Sequence, residues 1–277
     1  MEKVYGVIGC PIAHSMSPEM HNDLFDFYQL QSRYHAFHIE PEKLSDAIKG
    51  FKAIGVSGFN VTVPHKIAIL DLLDEVEAVA LNIGAVNTVV NEEGRLVGYN
   101  TDGQGYIHSI KQKMNQSLEQ SRVLLIGAGG AARAIYITLA SIGVLNVDIV
   151  NRTKEKAVEL IGSCQYKNSS TALTIKEVEQ ALGQYDLIIN TTSIGMHPHV
   201  EESPISLENL SENTVVSDII YNPLKTKLLK DAEQKGATID NGIGMFVNQG
   251  ALAFEKWTGI FPDTTRMETV VKKKLGG

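Results

Sequence analysis

Residues 122–133, reading RVLLIGAGGAAR, constrain this chain more than any other stretch. Val123 to Ile126 form a short apolar run, as expected of a parallel strand buried on both faces. Gly127, Gly129 and Ala132 fit G-x-G-x-x-A, and an apolar helix follows over 131–142. Strand, glycine turn and helix in that order make a dinucleotide-binding fingerprint. Gly127 allows the tight turn, Gly129 lets a pyrophosphate approach the backbone, and Ala132 lets the helix pack closely on the strand. The N–H groups at the helix start, Gly130 and Ala131 among them, then face the phosphates. A strand-like run at Val147 to Val150 continues the pattern, and strands and helices alternate as far as residue 240.

With 277 residues the chain has room for about two domains. The net charge of −7 and the lack of a basic tract argue against nucleic acid. Two cysteines, Cys10 and Cys164, make no disulfide framework. No signal-peptide core and no apolar stretch of membrane-spanning length is evident, so a soluble cytoplasmic protein is expected. The eight histidines include no zinc-spaced cluster, so no metal is expected.

Ahead of the fingerprint, Val4 to Ile8 reads as a strand running into a loop that carries Ser15 and Ser17. A helix is expected with Ser17 as N-cap and Pro18 in its first turn, burying Met20, Leu24, Phe27 and Tyr28. The two serines are either a cap and a loop residue or ligand contacts beyond a strand end. In the stretch Gly58 to Lys66, alternation puts Val61 and Val63 on one face and Asn60 and Thr62 on the other. Buried neutral amide and hydroxyl groups need partners, which a polyhydroxylated ligand would supply. Lys66 stands in a first helical turn, where the dipole disfavours a cation. Asn87 lies on a strand over 84–90, and a hairpin through Gly94 returns to Tyr99. Asp102 either caps the next helix or offers a carboxylate to Lys66.

These motifs resemble the shikimate dehydrogenase family. The resemblance covers essentially the whole chain, through Gly9-x-Pro-x-x-His-Ser-x-Ser-Pro18, Asn60-Val-Thr-Val-Pro-His-Lys66, Gly84-Ala-Val-Asn-Thr88, Asn100-Thr-Asp102, the glycine loop, Asn151-Arg-Thr153 and Tyr221-Asn-Pro223. It implies NADPH-dependent reduction of 3-dehydroshikimate to shikimate, on the way to chorismate and the aromatic amino acids. It implies that Ser15, Ser17, Asn60, Thr62, Asn87, Asp102 and Gln249 hold the substrate, that Tyr221 reaches it, and that Lys66 and Asp102 are the catalytic pair. Lys66 would be either the proton donor or a fixed charge beside the developing alkoxide.

The strand ending at Val150 leads to Asn151, where many NAD enzymes carry an acid for the ribose 2′-OH. Neutral Asn151 followed by Arg152 favours NADP(H), because a guanidinium meets a phosphate with two parallel bonds. Thr153 also reads as a helix N-cap. The expected cofactor contacts are Gly127, Ala128, Gly129, Gly130, Ala131, Asn151, Arg152, Thr153, Thr191, Ser193, Ile219 and Gly242.

Gly242 and Gly244 mark an expected return to the first domain, before a helix over 245–259 that buries Phe246, Leu252, Ala253 and Trp257. The expected architecture is α/β with two domains and a cleft between them. An N-terminal α/β substrate domain spans 1–102 plus 243–277. A Rossmann-like, doubly wound parallel-sheet NADP domain spans 103–242. The crossings near Asp102 and Gly242 are candidate hinges. Alternatives are a quinate/shikimate dehydrogenase of dual cofactor use, an inactive nucleotide-binding relative, and a folate-linked dehydrogenase of similar layout. The residues leave monomer and homodimer both open.

Overall fold

The computed structural model describes residues 2–276. The chain forms two compact units, Met1–Thr101 with Val247–Gly277, and Asp102–Phe246. Asp102 therefore opens the second unit rather than closing the first. Among the described residues, no helix is long and apolar enough to cross a membrane.

The first unit carries β1 (Lys3–Gly9), α1 (Ser17–Phe27), β2 (Ser32–His38), α2 (Leu44–Ala53), β3 (Gly58–Val61), α3 (His65–Ala68), β4 (Glu75–Val76), α4 (Ala78–Ile83), β5 (Thr88–Glu92) and β6 (Arg95–Tyr99). Its sheet has the order β2-β1-β3-β5-β6-β4. β1 pairs in parallel with β2 and β3, while β5 is antiparallel to both β3 and β6. The C-terminal ends of β1, β3 and β6 and the N-terminal start of β5 consequently share one edge. Ile8, Phe59, Val61, Val86 and Val89 pack there against Leu44, Ile48 and Phe51 of α2 in one apolar core.

The second unit starts within α5 (Thr101–Ile110). It continues through β7 (Val123–Ile126), α6 (Gly130–Ser141), β8 (Val147–Val150), α7 (Lys154–Gly162), β9 (Ala172–Leu173), α8 (Ile175–Ala181), β10 (Leu187–Asn190), β11 (Val215–Asp218), α9 (Lys227–Gln234) and β12 (Thr238–Asp240). Every pairing in its sheet is parallel, in the order β12-β11-β10-β7-β8-β9. The strands spread from β7 in both directions, so the order reverses between β7 and β10, the doubly wound arrangement. All four residues of β7 are buried, as a central parallel strand requires. Gly103 lets α5 lie against α6, since a Cβ there would meet the Ala134 carbonyl oxygen at 2.5 Å.

α10 (Gly242–Thr258) and α11 (Thr264–Lys274) complete the chain. α10 begins at Gly242, so Gly242 and Gly244 lie in its first turns rather than in a preceding loop. A Cβ at Gly242 would come within 2.9 Å of the Ile220 backbone. Phe246 and Leu252 are only half-buried. Val247, Ala251, Phe254 and Trp257 form the buried stripe, at the spacing of one helix face. Trp257 donates from Nε1 to the Val89 carbonyl at 3.0 Å.

Two further expectations fail locally. The N-cap of α1 is Met16, not Ser17, and the Ser17 N–H donates to Ser15 Oγ at 3.3 Å. Ser17 is instead buried in the first turn, and the buried stripe of α1 runs through Met20, His21, Leu24 and Phe25. Phe27 is 51% exposed, with the Arg266 guanidinium over its ring. β3 stops at Val61, and Val63 is 69% exposed, because the chain turns at Thr62 toward His65 and the alternation ends with the strand.

Candidate active site

In the first unit the shared strand edge gathers Ser15 and Ser17 after β1, Asn60, Thr62 and Lys66 at and after β3, and Asn87 before β5. Close packing brings the first two groups together. A Cβ at Gly9 would lie 2.6 Å from Thr62 Cγ2, and the Cys10 N–H donates to the Val63 carbonyl at 3.1 Å. Lys66 sits in the single turn of α3 with its backbone held on both sides. Buried His65 donates from Nε2 to the Ile39 carbonyl at 2.7 Å, and the Lys66 carbonyl accepts from the Val86 N–H at 2.8 Å. Because a backbone carbonyl only accepts, that bond fixes the His65 tautomer and makes it a structural residue. Thr62, Lys66 and Gln249 are half-buried, and Gln249 lies on α10.

Asn60 and Asn87 belong to a buried polar network. Tyr34 Oη donates to Asn60 Oδ1 at 2.7 Å, and Asn60 Nδ2 donates to the Asn87 carbonyl and to Thr88 Oγ1, each at 3.1 Å. Asn87 Oδ1 accepts from the Thr101 N–H at 2.8 Å and from Thr88 Oγ1 at 3.0 Å. Asn60 was expected to need a ligand for its buried amide, but the protein itself supplies three partners. Tyr34, Thr88 and Thr101 went unrecognised as parts of the site. They stand 26, 28 and 14 residues from the amides they serve, a separation with no sequence signature.

In the second unit a cavity of about 390 Å³ opens at the C-terminal ends of β7, β8 and β10. Gly127, Ala128, Gly129, Asn151, Arg152, Thr153, Thr191 and Ser193 line it, together with Lys156, Thr192, Ile194 and Ile205. Gly127 has φ of +111°, and a Cβ there would meet Thr191 Oγ1 at 2.5 Å, so the turn itself demands glycine. Gly129 differs. Its φ of −88° suits any residue, and a Cβ would find nothing within 4 Å. The room beside it is left for something other than protein. A dinucleotide fits that room, with backbone N–H groups at the start of α6, Arg152 and Lys156 nearby, and no acidic side chain among the lining residues.

Thr153 occupies the N-cap position of α7, but its hydroxyl makes no capping bond. Asn151 Nδ2 donates to the Thr153 carbonyl at 2.8 Å and shapes the turn instead. Lys156, which lines the cavity, is absent from the sequence-based site residues. Its signal was a cation in a first helical turn, the anomaly that singled out Lys66. Gly130, Ala131, Ile219 and Gly242 do not line this cavity.

Behind the cavity wall, buried Asp218 accepts from Asn190 Nδ2 at 3.1 Å, the Ile220 N–H at 3.1 Å and Thr226 Oγ1 at 2.7 Å. Burial raises its pKa above the ordinary carboxylate value, and those three bonds offset part of the rise. The carboxylate ties the end of β10 to the turn leading into Tyr221. The Tyr221 ring lies 5.5 Å from that of Phe246, and burial raises the phenol pKa. Asp102 is half-buried in the first turn of α5. Among the described residues, no group of three or more His, Cys, Asp or Glu could hold a metal ion.

Three family patterns match consecutive parts of the chain. They are a shikimate dehydrogenase substrate binding domain over residues 7–89, a shikimate/quinate 5-dehydrogenase over 109–222, and a shikimate 5′-dehydrogenase C-terminal domain over 242–272. The chain is 57% identical, over the full length of both sequences, to a shikimate dehydrogenase (NADP(+)) of Geobacillus sp. (strain WCH70). It superposes on a shikimate 5-dehydrogenase of Listeria monocytogenes, solved with shikimate and NAD, with TM-score 0.92 at 36% identity, covering 98% of this chain and 96% of that one. A Thermus thermophilus shikimate 5-dehydrogenase, solved with NADP(H) and shikimate, gives TM-score 0.87 at 34% identity, covering 98% and 99%.

Proposed function

The chain belongs to the shikimate dehydrogenase family, and from that premise we propose that it catalyses the reversible NADPH-dependent reduction of 3-dehydroshikimate to shikimate. This is an oxidoreductase step on a CH–OH group, on the way to chorismate and the aromatic amino acids. The observation that carries the reading is the edge of the first sheet. Neutral hydroxyl and amide groups suited to a polyhydroxylated ring collect there beside one ammonium, Lys66.

NADPH supplies the hydride. Ser15, Ser17, Asn60, Thr62, Asn87, Gln249 and Tyr221 would bind substrate. As the carbonyl oxygen gains charge, Lys66 stabilises it and passes it a proton, and in oxidation Lys66 takes that proton back. Asp102 serves as the carboxylate that positions the ammonium. The second unit would hold the cofactor. The backbone from Gly127 to Gly129 would meet the pyrophosphate, while Arg152 with Asn151 and Thr153 would hold a 2′-phosphate. Two free thiols, Cys10 and Cys164, fit a cytoplasmic location, and the substrate is the small-molecule partner.

The test is an initial-rate comparison on one preparation, shikimate with NADP against quinate with NAD. Faster turnover of the first pair is expected. A preference for quinate or for NAD would move the chain to the dual-specificity reading. Cofactor binding without any turnover would make it an inactive relative.

A further inference from the structure

We propose that Tyr34 is a positioning residue for the substrate, holding Asn60 so that its amide meets the substrate as a hydrogen-bond acceptor only. The proposal rests on the reading of Asn60 as a substrate residue.

The Asn60 amide has one allowed orientation. The atom 3.1 Å from the Asn87 carbonyl oxygen must be nitrogen, because that oxygen can only accept. A flipped amide would set two acceptors face to face in a buried site. Nδ2 spends its second hydrogen on Thr88 Oγ1. Oδ1 then faces Tyr34 Oη, which donates to it at 2.7 Å. What Asn60 has left is the second lone pair of Oδ1. Its complement is a hydroxyl that donates, not a bare carbonyl oxygen.

Tyr34 is suited to hold that geometry. It is 1% exposed, and burial raises its pKa well above 10, so the phenol stays a donor. Its ring stacks on His21 at 4.5 Å with 20° between planes, and Trp257 lies 5.9 Å away. His21 is itself fully buried, with no hydrogen-bond partner at either ring nitrogen, and acts here as an aromatic plate. A close-packed slot of this kind leaves the phenol ring one position.

Tyr34→Phe keeps the ring and removes the hydroxyl. KM for shikimate should rise about tenfold, while kcat and KM for NADP stay near wild type, and Tm falls modestly because a buried hydrogen bond is lost. A merely structural role would lower Tm and shift both KM values together, or neither. Asn60→Ala should raise KM for shikimate, and adding Tyr34→Phe to it should change nothing further, since the two residues act through one bond. If Asn60→Ala raises KM and Tyr34→Phe does not, the proposal is overturned. An unchanged KM in Asn60→Ala would instead remove the reading of Asn60 on which the proposal stands. Should Tyr34→Phe fail to fold, Tyr34→Met, which also removes the hydroxyl from Asn60 Oδ1 and fills the slot with an adaptable apolar side chain, carries the same comparison.

Discussion

At the strand ends of the all-parallel sheet, the residues that shape the cavity are those with little side chain, Gly127, Ala128 and Gly129. At the strand ends of the mixed sheet they are serines, threonines, amides and one lysine. The first site offers main-chain N–H groups, and its requirement is that nothing intrudes. The second offers side-chain atoms, and its requirement is that each is held in one rotamer. That is why buried hydrogen bonds from Tyr34, Thr88 and Thr101 stand behind Asn60 and Asn87. Under the proposed function the division suits the two tasks. A pyrophosphate carries diffuse charge that a helix start can meet, whereas separate hydroxyls on one ring need individually placed partners.

The sharpest way to break this division is at Lys66. Lys66→Met keeps the stem and removes the charge. Turnover with shikimate should fall by roughly 10³-fold, with NADP affinity, measured by fluorescence titration, unchanged. A folded variant with near-normal turnover would take the chemistry away from the mixed sheet. The next largest effect is expected at Gly129. Its φ is ordinary and its Cβ position is empty, so Gly129→Val should fold with unchanged Tm. It should lose affinity for NADP on the order of 100-fold, about 2.7 kcal/mol. If the variant bound NADP normally, the empty space beside Gly129 would not be the cofactor's.

Gly58 makes the opposite case within the mixed sheet. A Cβ there would lie 2.5 Å from Trp257 Cδ1 and 2.8 Å from the Val89 oxygen, the acceptor of the Trp257 bond. Gly58→Ala should cost about 2 kcal/mol of stability through overpacking, read as a lower denaturation midpoint. NADP affinity should not change. A midpoint equal to wild type would mean that Trp257 can move aside.

The same contrast explains what could be read from the residues alone. Main-chain sites restrict residue type at fixed offsets, so Gly127, Gly129 and Ala132 announced the turn at the cavity, and Asn151 and Arg152 also line it. The residues the structure gathers at the first unit's strand edge were named largely through the family resemblance. Of their supports, Thr88 and Thr101 stand in the quoted motifs without a role, and Tyr34 stands in none. Tyr34 on β2 reaches Asn60 on β3 across β1, and nothing local marks the pairing. Errors arose where a local rule was carried past its element. Alternation was extended to Val63 after β3 had stopped, and the Ser-Pro pair suggested a cap at Ser17 although α1 begins at that residue. Two-residue strands such as β4 and β9 are too short to show any period.

The smallest predicted effect concerns the plate beneath Tyr34. Burial lowers the His21 pKa from 6.5 to about 3. The unfolded chain therefore takes up this proton at a higher pH than the folded one. His21 leaves stability undiminished above its unfolded value of 6.5, and stability is lost as pH falls from there toward about 3. At about pH 5.5 the loss should be about 1.4 kcal/mol, one pKa unit's worth. His21→Phe keeps an aromatic ring between Tyr34 and Phe254 but has nothing to protonate. Its stability near neutral pH should match or exceed wild type, since two buried nitrogens without partners are gone. Between about pH 7.5 and 5.5 it should lose about 1.4 kcal/mol less than wild type, measured by denaturant titration at both values. Equal losses in the two proteins would mean that the His21 slot admits a proton. The phenol of Tyr34 would then rest on a ring whose charge changes with pH, and shikimate KM should drift over the same range while NADP KM stays level.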